Sequence, residues 1–165
     1  MLKQDKIGVG PAVCFVALLV GGCEVSVPSP AARLSIRTVE DTVTLQRSAD
    51  QTAFAVTAIV RNDDTRLAQV ELCGMQAQRD ISGVWTTVFT PWCSSNALRN
   101  LAPRDSVVIP VDVFGYTLPN RIPALDPRMG PGRYRLLFGI GWGDSAPPTG
   151  SSRSEVKPSV PFIVK

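Results

Sequence analysis

Apolar residues on every second position leave a chain few options, because a strand sends successive side chains to opposite faces whereas a helix brings a face round about every 3.6 residues. In Phe54, Val56, Ala58 and Val60 the alternation is unbroken, and beyond Asn62-Asp63-Asp64-Thr65 it resumes at Ala68, Val70 and Leu72. Asn and Asp hydrogen-bond the local backbone and tolerate positive φ, so the stretch from Ala53 to Gly74 reads as a β-hairpin turning at Asn62 to Thr65.

The same period recurs along the chain. Leu34 and Ile36, then Val43 and Leu45, alternate with polar neighbours, and Gln76 to Arg79 and Val84 to Phe89 flank Asp80-Ile81-Ser82-Gly83 as a second hairpin. Pro91 ends that strand, since proline has no N–H for a ladder bond. The turn Leu101-Ala102-Pro103-Arg104-Asp105 leads into Val107, Ile109, Val111 and Val113, with Pro110 implying an edge or bulged strand. Gly130-Pro131-Gly132 opens the most regular run, in which Tyr134, Leu136, Phe138, Ile140 and Trp142 share a face and are assigned to the core. Val160, Phe162 and Val164 close the chain. Seven or eight short strands without a helical period predict an all-β fold, an antiparallel β-sandwich with one core.

The amino terminus has a different logic. Lys3 and Lys6 precede an uncharged apolar run from Ile7 to Gly22. Its length gives about 24 Å of helix, short of the roughly 30 Å hydrocarbon core, so residues 1–22 read as a signal peptide. The ending Val20-Gly21-Gly22-Cys23 resembles the bacterial lipobox, which implies a lipidated Cys23 as the mature amino terminus. The other reading is ordinary secretion with Cys23 free. Residues 23–31, with Pro28 and Pro30, then form an extended tether, and 32–165 the sandwich domain. Removing two lysines and one aspartate from totals of 17 basic and 14 acidic side chains leaves a formal +2, with no dense basic run to hold nucleic acid.

Phe54 to Asn62, Val70 to Arg79, Trp85, Leu101 to Asp105 and Gly130 to Tyr134 together resemble the immunoglobulin-like domains of bacterial envelope lipoproteins. They are more loosely similar to the bacterial intracellular proteinase inhibitor family. The resemblance covers roughly Phe54 to Gly141 and implies an immunoglobulin-like sandwich in the cell envelope, with a protein-binding or accessory role.

The chain contains no His, which removes Ser-His-Asp and Cys-His chemistry and the commonest zinc ligand. Glu40-Asp41 and Asp63-Asp64 are the adjacent carboxylate pairs, but neighbours in a strand face opposite ways and the second pair has a turn to make. Neither catalysis nor calcium is expected of them, and no metal or cofactor. With Cys14 in the signal peptide and Cys23 lipidated, Cys73 and Cys93 should form a disulfide in an oxidising compartment. Val70 and Leu72 take the apolar face, so unless a bulge intervenes Cys73 should face outward, the bridge clamping the Pro91 to Asn96 loop onto the sheet instead of crossing the core. Gly139, Gly141 and Gly143 read as room on one face for a bulky neighbour such as a Trp ring. For Trp85, Phe89 and Trp92 an aromatic binding patch competes with the favoured reading, Trp85 in the core and the others beside the disulfide.

Tyr116 to Met129 is long for a sandwich loop, has prolines at 119, 123 and 127, and carries Leu118, Ile122, Leu125 and Met129 without a strand period. These four either meet a partner or cap one end of the sandwich. The expectation is a non-enzymatic envelope domain, anchored to a membrane through its lipid, that binds another envelope protein. A protease inhibitor acting through residues 116–129 is the alternative.

Overall fold

A computed structural model describes residues 33–93, 97–143 and 155–165. The signal peptide, Cys23 and the tether lie outside the described residues. The described chain is all-β, in eleven segments: β1 (Leu34–Thr38), β2 (Thr42–Val43), β3 (Gln46–Arg47), β4 (Gln51–Asn62), β5 (Leu67–Ile81), β6 (Val84–Phe89), β7 (Leu98–Leu101), β8 (Ser106–Tyr116), β9 (Gly132–Gly143), β10 (Glu155–Pro158) and β11 (Phe162–Val164).

Several segments run end to end along one neighbour. In the first sheet β8 pairs with one edge of β4, while β1 and β3 share the other. In the second, β9 pairs with β5, β10 and β11 share the far edge of β9, β6 and β7 share that of β5, and β2 lies beyond β11. The result is an immunoglobulin-like sandwich of eight strand positions, antiparallel throughout except for β2 against β11. Glu40 governs the step from β1 in one sheet to β2 in the other: its carboxylate accepts the Thr57 N–H at 2.8 Å and the Thr57 hydroxyl at 3.1 Å. The Val39 N–H also donates to the Thr57 carbonyl, so both backbone groups of Thr57 point away from β8. Pro110, opposite Thr57, therefore costs the ladder nothing and removes a donor from the open edge of β8.

The core is built from the alternating faces. Phe54, Tyr134 and Phe162 form a mutual aromatic cluster, with centroids 5.1 to 6.1 Å apart, and Val60, Val70, Leu136, Phe138 and Ile140 are fully buried around them. Each such side chain contributes roughly 1.5–3 kcal/mol of burial. Trp142, grouped with this face from sequence, is half-buried at its rim with the Arg66 guanidinium 4.8 Å from its ring centre.

Three further expectations are corrected. Ala53 to Gly74 is no hairpin: β4 and β5 belong to different sheets and face each other across the core. Trp85 lies outside the core, on the outer face of the second sheet, with Arg133 and Arg135 5.5 and 4.5 Å from its ring centre. A bulge is responsible, because Gln78 pairs with Thr87 but Ala77 with Phe89, and the extra Val88 turns Phe89 inward and leaves Trp85 outside. The room over Gly139 holds the Glu71 carboxylate, so a Cβ there would collide with it, and no Trp ring occupies it.

A second bulge shapes the disulfide. Between Glu71 and Gln76 the pairing of β5 with β9 slips, four residues facing Phe138 alone. Cys73 sits on this bulge, in the stretch of β5 that neither β6 nor β7 covers, and bonds to Cys93 with Cα atoms 5.7 Å apart. Cys93 is exposed and Cys73 half-buried, so the bridge lies outside the core, while the bulge takes Cys73 out of the regular alternation from which its direction was expected. The same connection donates the Ala97 N–H toward Cys73 Sγ and accepts the Leu72 N–H.

Candidate binding loop

The connection from β8 to β9, residues 117–131, is fixed at its base by a set of side chain to backbone bonds. At Gly115 a Cβ would stand 2.6 Å from the Leu125 Cα, so only glycine lets the loop seat against β8 there. Tyr116 then donates to the Pro123 carbonyl at 3.0 Å and accepts from Leu125 at 2.9 Å. At the far end Tyr134 Oη donates to the Gly130 carbonyl at 2.7 Å and accepts from its N–H, the tyrosine corner of immunoglobulin-like folds. Burial pushes the Tyr134 hydroxyl pKa up, which keeps that donor proton in place.

Arg79 completes the base. Its Nη1 and Nη2 each donate at 2.6 Å, to the carbonyls of Arg128 and Pro131. Within the loop Arg128 forks onto Asp126 at 2.9 and 2.6 Å, and this hydrogen-bonded guanidinium holds the Asp126 carboxyl below its ordinary value. On the other side Thr117 is tied to Ala49 and Asp50.

The four apolar loop residues separate accordingly. Met129 is buried and Leu125 packs against the core, so these two cap the sandwich. Leu118 and Ile122 stand out, 42% and 65% exposed, around Asn120 and Arg121. Beside this tip runs a groove of about 380 Å³ over Ala53 and Ala55, walled by Phe114 and Tyr116, and Arg121 lies 5.8 Å from the Tyr116 ring centre. A second groove, about 240 Å³, separates Pro123 and Ala124 from Thr87 to Thr90. The aromatic triplet does not assemble, since Phe89 is buried against Phe114 while Trp92 is 73% exposed.

The carboxylate pairs are engaged in structure. Glu40 is held below its ordinary value by the Thr57 N–H, and Asp64 is held further below by the hydrogen-bonded Arg66 guanidinium. Both are therefore ionised at neutral pH, when a general acid would need its proton. Among the described residues no cluster of three Cys, Asp or Glu is arranged to hold a metal, and no helix is long and apolar enough to cross a membrane. Arg79 and Gly115 were not singled out from sequence; the inward parity of Arg79, two residues after Ala77, is the signal that marks it.

No family model matches the chain, and no curated protein does. Solved structures with some likeness include the ApaA-assigned protein of Bordetella pertussis, 16% identical over 80% of this chain and 92% of that one, TM-score 0.45. A protein from Archaeoglobus fulgidus is 13% identical over 81% and 96%, TM-score 0.34, and the β-glucosidase of Listeria innocua 11% identical over 81% and 16%, TM-score 0.31. Likeness at this level says nothing about activity.

Proposed function

We propose that this protein is a lipid-anchored domain of the bacterial cell envelope, held to a membrane through Cys23, that works without catalysis by binding another envelope protein. The observation that carries the reading is the 117–131 loop: pinned at both ends, it displays Leu118 and Ile122 outside the buried core. A loop whose two ends are already held loses less conformational freedom on binding than a free one. The disulfide suits an oxidising compartment, in keeping with export. The loop also lies at the pole of the sandwich away from Arg33, where the chain enters from the tether.

Protease inhibition through the same loop is the second reading, favoured by its convex tip with Arg121 between Asn120 and Ile122, all exposed. Two experiments test these. Cys23→Ser should release the protein from the membrane fraction, and unchanged fractionation would contradict the anchor. Titration against trypsin-like and other proteases separates the two roles, since submicromolar inhibition would replace the first reading with the second.

A further inference from the structure

At the pole where the chain enters the sandwich, three arginines come together from three separate segments. Arg33 precedes β1, Arg61 ends β4, and Arg104 occupies the turn before β8, where it adopts a left-handed φ of 64°. Backbone bonds tie these segments rigidly: Asp63 donates to the Arg33 carbonyl at 2.8 Å, and Asn62 to the Asp105 carbonyl at 2.9 Å. Arg33, Arg61 and Arg104 line an open groove of about 570 Å³ with Leu34, Ser35 and Asp63. The acids nearby are largely committed: Asp63 pairs with Arg61 at 2.7 Å, Asp64 with Arg66 at 3.0 Å, and Asp105 caps the Ser106 N–H. Among the described residues Arg33 and Arg104 have no ion-pair partner.

We propose that this groove docks the domain on the anionic lipid headgroups of the membrane that holds it. The inference rests on the lipoprotein reading, because it takes its occupant from the tether. Arg33 lies ten chain steps beyond Cys23, and extended chain spans at most about 3.6 Å per residue, so the anchor would keep the groove within roughly 36 Å of the headgroups. At that range a phosphate surface is the anion at highest effective concentration. Arginine suits it, since the guanidinium fork matches phosphate oxygens and is weakly hydrated. Docking there turns the loop pole, with Leu118 and Ile122, away from the bilayer.

The test uses the full chain carrying Cys23→Ser, so that no acyl chain contributes, with vesicles of phosphatidylcholine alone or mixed with phosphatidylglycerol. Residues 1–22 insert and, through Lys3 and Lys6, favour anionic lipid equally in every variant, so the difference between this protein and its arginine variant on the anionic vesicles reads the groove. Binding should be stronger on the anionic vesicles and return to the phosphatidylcholine level in 0.5 M salt, a concentration at which the Debye length falls to about 4 Å. R33Q/R61Q/R104Q should weaken the anionic component about tenfold or more, and D63N should strengthen it about threefold. Equal binding to both vesicle types, or an anionic preference untouched by the triple variant with D63N also silent, would overturn the docking proposal. Failure of the anchor itself is read separately, by fractionation of Cys23→Ser in cells.

Discussion

The two poles of the sandwich are both held by side chains that donate to backbone carbonyls, yet one is closed and the other displays a loop. At the first, Asn62 is fully buried and its amide donates to the carbonyls of Arg66, Leu101 and Ala102 at 2.8, 3.1 and 3.2 Å, while its oxygen accepts from Asp64 at 3.0 Å. One residue at the centre of the corner thus satisfies two turns at once. At the second, Arg79 and Tyr134 grip the end of the 117–131 loop and Gly115 its beginning, leaving residues 118–122 beyond the pins. A pin at the centre closes a turn, whereas pins at the two ends free the middle to present side chains.

The largest effect is expected where one pin serves two turns. Asn62→Ala removes a donor shared by three carbonyls, of which that of Ala102 keeps another, the Asp105 N–H at 3.2 Å, and should cost about 2–4 kcal/mol in a denaturant titration. A loss under 1 kcal/mol would mean that the corner does not depend on it. Reduction of Cys73–Cys93 should cost about 3 kcal/mol through the unfolded chain alone, with a single cooperative transition retained, because the bridge lies outside the core. Disappearance of that transition in reductant would contradict this. Arg79→Met keeps the buried stem but removes both loop donors, so it should cost about 1–2 kcal/mol and speed amide exchange in residues 117–131 while leaving the Asn62 corner protected. Equal deprotection of both poles would erase the distinction between them.

How far these features were legible in the sequence follows from what alternation encodes. It fixes which side chains share a face, so the core of β4, β8 and β9 could be read directly. It carries nothing about which strand lies beside which, and a corner between sheets has the same pattern as a hairpin, which is why Asn62 to Thr65 was misassigned. It also fails wherever an extra residue enters. In a regular β6 Trp85 and Phe89 would share a face, and the bulge at Val88 separates them. The 116–129 segment was recognisable as an irregular loop with spare apolar residues. Which of them protrude depends on the seat of Leu125 at Gly115, ten residues away, and on the grip of Arg79 across about fifty, which no local pattern contains.

The central claim is that the loop tip belongs to a partner and not to the fold. Leu118→Asp/Ile122→Asp should therefore leave thermal and denaturant stability within about 0.5 kcal/mol of wild type, as surface substitutions do. The decisive measurement is cross-linking in intact envelopes, wild type against this double variant, with each adduct quantified. The account predicts a defined protein adduct on the wild type that falls at least tenfold in the variant while anchoring and stability are unchanged. An adduct of equal yield on both proteins, or a variant that unfolds, would contradict it.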